Sequence, residues 1–387
     1  MVARSPQPQE PHTVRRIASP EAAGRLAAVL LQSASLSAQA PTADDTPQIF
    51  GFAQFWWTQP TPTADSLSGS FSMARTRVGI RGSVGNRVSY FLLSEVGQLA
   101  PRAPNSRIGV SLVDALITYR AHPLLRVSAG QDYFRLGLEG SMLLPQIHFV
   151  LRSEAVDAFY LPLGRNGMYA YDSGVKIWGE RAPGDRTPLG YAVFVHNGTG
   201  LNSADVNGRK DVLARAWVAP RIVGGGVGPV QLGASFFTGS SWMSAEAPGG
   251  PLREDLSERI LGVDAMVPLR IGRASGRIFG EYLAGDYEGS TRLPQPVPER
   301  DPRGWYVAAG LTPLEGLEVL ARESRYEAER GVREQAVYTT TVGFRARLRA
   351  SHSLRVNYLH KRPGAQYRPV GIGGTGSLAL AQWELTF

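Results

Sequence analysis

Arginines at alternate positions carry the chemistry that stands out in this chain. Arg75, Arg77 and Arg81 lie on one face of a stretch whose other face carries Ala74, Thr76, Val78 and Ile80. Arg345, Arg347 and Arg349 oppose Tyr338, Val342, Phe344 and Leu348; Arg355, Asn357 and Lys361 oppose Leu354, Val356 and Tyr358. An extended strand sends successive side chains to opposite faces, so each stretch has one cationic and one apolar face. Guanidinium groups hold carboxylate or phosphate through paired hydrogen bonds, and a row of them suits the handling of anions. Codon bias in a GC-rich genome also enriches arginine, but it does not sort arginine onto one face.

Other chemistries have little to stand on. There is no cysteine, which removes disulfides, thiol nucleophiles and thiolate metal sites together. The six histidines (12, 122, 148, 196, 352 and 360) are dispersed, with neither His-Glu-x-x-His nor His-x-His spacing. Gly371-Ile-Gly-Gly-Thr-Gly376 has the spacing of a phosphate-cradling loop, but it precedes a strand where that loop must follow a strand and open a helix. Acid pairs such as Glu254 and Asp255 suit a solvated loop. A hydrolase would need a serine and His148 or His196 brought together from separate strands. No enzyme, cofactor or metal site is expected. Nucleic acid would need a basic stripe or basic residues interleaved with stacking aromatics, and neither occurs.

The elements that position these arginines are short and repetitive. The chain ends Ser377-Leu-Ala-Leu-Ala-Gln-Trp-Glu-Leu-Thr-Phe387, with Ala379, Ala381, Trp383, Leu385 and Phe387 on one face and Gln382, Glu384 and Thr386 on the other. Sixteen similar segments can be read, near 48–58, 71–83, 86–97, 107–120, 124–132, 167–179, 187–198, 209–222, 228–240, 256–270, 274–286, 303–313, 316–327, 333–349, 352–362 and 376–387. Tight links such as Val84-Gly85-Asn86, Gly272-Arg273-Ala274 and Pro313–Gly316 alternate with long polar ones at 59–70, 199–208, 241–255, 287–302 and 363–375. This predicts an all-β transmembrane antiparallel barrel of about 16 strands, with short turns at one rim and long loops at the other. A mean hydropathy of −0.14 and the lack of an 18-residue apolar run exclude a helical membrane protein, not a barrel, whose lumen is wet. An arginine facing lipid at mid-bilayer costs about 2–4 kcal/mol, so the cationic faces must point into the lumen. Trp56, Trp57, Trp178, Trp242, Trp305, Tyr358 and Trp383, near segment ends, are candidates for interfacial girdles.

Two segments fall outside this repeat. Residues 1–40 read as a cleaved export signal, with Arg15, Arg16 and Arg25, then Leu26–Leu31, then Ala38-Gln39-Ala40; residues 41–387 form the barrel domain. Residues 1–40 carry four arginines and two glutamates, so their removal lowers the net charge of +8 by two, to +6. Only Lys176, Lys210 and Lys361 supply lysine. Between Asp132 and Gly167 the third long link is too apolar to be disordered, with Leu143-Leu144, Ile147, Phe149-Val150-Leu151 and Phe159-Tyr160-Leu161. Folded back into the lumen it would set the pore size; the alternative is an external cap or partner surface. Its charges are mixed, Arg135, Arg152 and Arg165 against Glu139, Glu154 and Asp157.

Several stretches together resemble the phosphate-selective porin O/P family: Ala74–Gly82, Val113–Arg120, Arg126–Gln131, Arg152–Ala158, Phe194–Gly198, Asp211–Pro220 and the terminal Trp-Glu-Leu-Thr-Phe387. The resemblance implies a sixteen-stranded, usually trimeric pore in the bacterial outer membrane, some members drawing phosphate along an arginine ladder. Arg75, Arg77 and Arg81 match the family's first arginine run. After Gly130-Gln131 the chain reads Asp132-Tyr-Phe-Arg-Leu136, where the family commonly has a lysine, which favours a broader anion preference over tight phosphate selectivity. The expected function is passive diffusion of small anionic or polar solutes by a lipid-embedded homotrimer. Arg75, Arg77, Arg81, Arg126, Arg215, Arg345, Arg347, Arg349 and Arg355 would line the pore, and Arg135, Arg152 and Arg165 the constriction. The alternative is a plugged structural or adhesin-like barrel.

Overall fold

The computed structural model describes residues 46–61, 69–97, 109–163, 171–181, 187–220, 226–247, 250–369 and 374–387. The expected leader, Arg165 and residues 371–373 of the glycine-rich spacing lie outside the described residues. Sixteen strands close into one antiparallel barrel, each paired with its sequence neighbours and the first with the last. They are β1 (Gln48–Pro60), β2 (Ser70–Val84), β3 (Val88–Gly97), β4 (Gly109–His122), β5 (Leu125–Tyr133), β6 (Tyr171–Arg181), β7 (Leu189–His196) and β8 (Asp211–Val218). The second half is β9 (Gln231–Ala247), β10 (Gly250–Ile271), β11 (Ala274–Tyr287), β12 (Arg303–Leu314), β13 (Leu317–Glu327), β14 (Ala336–Arg349), β15 (His352–Pro363) and β16 (Leu378–Thr386). No helix among the described residues is long and apolar enough to cross a membrane; the strands do so instead.

Closure is made by β1 and β16, with Gln54 opposite Glu384 and Trp56 opposite Gln382. Beyond the last rung the Phe387 N–H donates to the Gly51 carbonyl at 3.0 Å and the Gly51 N–H returns the bond at 2.9 Å. Closure leaves no unpaired edge, which hydrocarbon demands. The hairpins reverse tightly because Gly272 and Gly316 adopt φ of 61° and 82°, conformations that cost a side chain energy.

The two faces sort as the alternation requires. Val78, Ile80, Ile117, Val175, Ile177, Val263, Val307 and Val342 are exposed on the outside, a belt suited to lipid. On β14, Thr339 and Thr341 point inward and are buried while Tyr338, Val342 and Leu348 point out. Tyr358 and Trp383 are exposed outward as girdle residues should be. Trp56 and Trp178 are not: both are buried on the lumen side, where their indole N–H groups donate to Gln382 Oε1 at 2.7 Å and Ser128 Oγ at 2.8 Å. Nearby polar acceptors draw these indoles inward.

Two boundaries also differ from expectation. Much of 241–255 is not loop but a continuation of the β9–β10 ladder, with Trp242 opposite Asp255 and Met243 opposite Glu254. The pairing continues because Pro248-Gly249-Gly250 supplies the first strong turn signal. At 333–335 the chain makes a 3-10 turn, and β14 begins only at Ala336.

The barrel core is the β5–β6 link. Its described part, 134–163, enters the lumen as α1 (Gly137–Ser141), a 3-10 turn at Leu144–Gln146 and α2 (Glu154–Leu163). Leu136, Leu138, Met142, Phe149 and Phe159 pack on Phe194, Phe237, Ile260, Phe279, Leu283, Tyr306, Leu320 and Val337 of the barrel wall. Burying each large apolar side chain contributes about 1.5–3 kcal/mol. The loop therefore covers much of the lumen wall from β7 to β14, where apolar side chains share the inward positions with buried charges such as Asp264, Glu281 and Arg322.

Candidate pore constriction

The inserted link is fixed by charge and backbone bonds at several points. Glu139, at the centre of α1, accepts from Arg322 Nη1 at 2.9 Å and from the Ser153 N–H at 2.7 Å. Arg322 lies 4.3 Å over the Phe149 ring, and both members of the Arg322–Glu139 pair are almost wholly buried. The Leu138 N–H donates to Glu281 and the Gly137 N–H to Ser235 Oγ at 3.0 Å. Gly137 has a φ of 70°, and a Cβ there would meet the Glu281 carboxylate at 2.5 Å. The Val150 N–H donates to Asn357 Oδ1 at 2.7 Å. The Pro145 carbonyl accepts from Arg355 Nη2 at 2.6 Å and Arg345 Nη2 at 3.1 Å. Glu154 opens α2 and takes Lys361 at 3.3 Å, Thr339 and Tyr367.

The loop's titratable groups register this burial. Burial lifts the Glu139 carboxyl above its ordinary range, against the pull of Arg322. Burial and the Arg277 guanidinium lower His148 to about 4, so near neutrality its Nε2 is free to accept from Arg277 Nη1 at 3.3 Å. His196 is paired with Asp172 at 3.1 Å beside Phe134 and Phe194. Neither histidine bonds a serine hydroxyl among the described residues.

The loop leaves a cavity of about 370 Å³ between α1, the 3-10 turn and the wall of β1–β9. Five basic side chains (Arg77, Arg135, Arg152, Lys176 and Arg215) and three acids (Asp114, Asp132 and Glu180) line it. Most of this charge is compensated locally. Arg77 bonds Glu95 at 2.6 Å and the Tyr171 hydroxyl at 2.7 Å. Lys176 pairs with Asp132, Arg215 with Asp264, and Arg126, at the turn-side end of β5, with Glu180 at 3.3 Å. Arg135 reaches Asp132 only at 3.9 Å. Arg152 makes no ion pair among the described residues and is met by the rings of Tyr133 and Tyr160 at 5.5 and 5.8 Å. The uncompensated groups are thus Arg152 and Arg135 against Asp114.

The remaining sequence-predicted arginines are spread along the lumen. Arg75 donates to Gln54 Oε1 at 3.0 Å and lies 5.1 Å over Trp56; Arg81 donates to Gln48 at 3.2 Å, nearer the turn rim. Arg347 and Arg349 are exposed at the end of β14. Arg345 and Arg355 meet the loop backbone, and Arg355 also pairs with Glu384 at 3.1 Å. Sequence reasoning passed over the loop's anchors Arg277, Arg322 and Glu281, and it placed Asn357 and Lys361 on the lumen face without giving them a role. The same face-sorting bears on Arg277, next to outward Ile278, and less clearly on Arg322, whose outward neighbours are Ala321 and Glu323. Glu139 and Glu154 in an apolar loop were a further signal, since a buried carboxylate needs a partner.

No protein-family model matches the chain, and no curated protein matches it. Solved structures do. OmpT, an outer-membrane protein of Vibrio cholerae in trimer form, is 12% identical with a TM-score of 0.55, covering 88% of this chain and 99% of its own. The anion-selective porin of Comamonas acidovorans is 13% identical with a TM-score of 0.54, covering 88% and 99%. Pseudomonas putida OprB is 10% identical with a TM-score of 0.60, covering 89% and 95%. At these identities the likeness is one of fold, and in this chain that fold is the closed sixteen-stranded barrel.

Proposed function

We propose that the chain is an outer-membrane porin through which small hydrophilic solutes diffuse passively, with a bias toward anions. The observation that supports this most strongly is a loop pinned by specific ion pairs to one half of the wall, leaving a cavity where the uncompensated charge is mainly arginine. Fixed cations in a narrow, low-dielectric passage raise the local anion concentration without holding the ion so tightly that it cannot leave. Because Arg77, Arg126, Arg215 and Arg355 already have carboxylate partners, the bias is modest, and inorganic phosphate is one anion among several. Membership of the phosphate-selective porin O/P family rests on the short sequence stretches given above. A homotrimer fits the trimer form of Vibrio cholerae OmpT, and migration on unheated gels tests it. A non-catalytic role fits the dispersed histidines.

A second reading is a plugged barrel, favoured by the close packing of the loop against the wall from β7 to β14. Liposome swelling separates the two. Liposomes containing the refolded chain should swell in sugars and amino acids of increasing size up to a cutoff, whereas a plugged barrel gives none in any solute.

A further inference from the structure

Aromatic side chains form several patches of the wall of the cavity beside the inserted loop. Phe50 and Phe91 meet with ring centroids 5.1 Å apart on the β1–β3 side, and Tyr133 and Tyr171 at 4.9 Å on the β5–β6 side. Phe194 and Trp178 extend the same surface. A strongly hydrated ion such as phosphate gains little from the aromatic part of this wall. Into this wall is set Arg152, only 8% exposed, with its Nε lacking a hydrogen-bond partner. The acids that act on it are Asp157 and Glu139, neither of them in an ion pair with it, and Glu139 is committed to Arg322. A buried guanidinium with an unfilled hydrogen-bond donor is costly, and an arriving carboxylate would fill it. Arg135, with a quarter of its side chain exposed and its acid neighbour Asp132 already held by Lys176, is a second cation on the same cavity.

We propose that this cavity is a binding station for small aromatic monocarboxylates, the carboxylate on Arg152 and the ring on the tyrosine and phenylalanine wall. A volume of about 370 Å³ lies within the usual range for small-molecule pockets. The assignment deepens the porin reading by naming a solute class, and it rests on that reading only for passage through the membrane.

Isothermal titration of the refolded chain in detergent tests it, with sodium benzoate, sodium acetate, inorganic phosphate and neutral benzyl alcohol as probes. Benzoate should bind about tenfold or more tightly than each of the others, since it alone uses both ring and charge. Arg152→Gln should weaken benzoate binding about tenfold or more, the loss of one charge-assisted contact. Because Arg152 also packs in the loop, Arg135→Gln is the second variant, and it too should weaken benzoate more than benzyl alcohol. Benzoate no tighter than acetate, phosphate tighter than benzoate, or both variants binding benzoate like the parent overturns the assignment. Bilayer currents on the same preparation separate the two readings: benzoate binding without conductance keeps the site and rejects the porin, and conductance without benzoate binding does the reverse.

Discussion

Replacing Glu139 with Gln should release the loop from the wall without opening the barrel. The carboxylate is buried at 1% exposure and is Arg322's only ion-pair partner among the described residues. Removing one member of such a buried pair costs about 3–5 kcal/mol, because the other charge stays behind uncompensated. At 1.4 kcal/mol per decade this shifts the loop's docked-to-undocked ratio by roughly 10²- to 10⁴-fold. The Pro145, Val150 and Glu154 anchors oppose the shift but lie in other parts of the loop, so the α1 end should move first. The barrel keeps its ladders, and heat-modified gel migration should stay that of the parent. Single-channel recordings should show frequent transitions between current levels where the parent holds one. The double variant Glu139→Gln, Arg322→Met removes both charges and should recover much of the quiet behaviour. Parent-like dwell times in Glu139→Gln would refute the pinning, and a double variant noisier than the single one would refute its electrostatic origin.

Three further outcomes follow from particular residues. Arg75→Ala and Arg81→Ala should lower anion preference with little effect on folding, whereas Arg77→Ala should also cost stability because it strands the buried Glu95; urea titration and reversal potentials check the contrast. His148 is held neutral by burial and by Arg277, with Glu318 and Arg345 also facing it, so its contribution is present above its ordinary 6.5 and lost as pH falls toward about 4. Loop noise should therefore rise across that window by the equivalent of about 3 kcal/mol at most, and His148→Gln should flatten the dependence in recordings at graded pH. Val342→Arg, on the lipid face, should cost about 2–4 kcal/mol in equilibrium folding into bilayers, while a charge at Arg347 on the opposite face is tolerated as it stands.

The barrel was legible because its rule is local. Each strand repeats the alternation, and segments such as Tyr338–Arg349 state both faces outright; the starts and ends fell within a few residues for most strands. The β9–β10 extension was missed because ladder pairing, not hydropathy, sustains it beyond the membrane. The lumen was less legible. Alternation says that Arg345 and Arg355 point inward, but not that the Pro145 carbonyl waits for them, because that meeting joins residues some 200 positions apart. Nor does it say that Arg215 is answered by Asp264 from a strand two places away. Inward arginine marks the lumen; only the fold decides which inward arginines still have charge to offer a solute. Arg152 stays without an ion pair among the described residues because the loop seats it against the rings of Tyr133 and Tyr160.

The reversal potential of the refolded chain in a planar bilayer under a KCl gradient tests the central claim most directly. Stable step conductance is expected, with a modest chloride preference that falls when Arg152 or Arg135 is neutralised. Cation preference, or conductance indifferent to sign, would contradict the role given to those arginines, and silence from well-folded protein would show the lumen to be plugged.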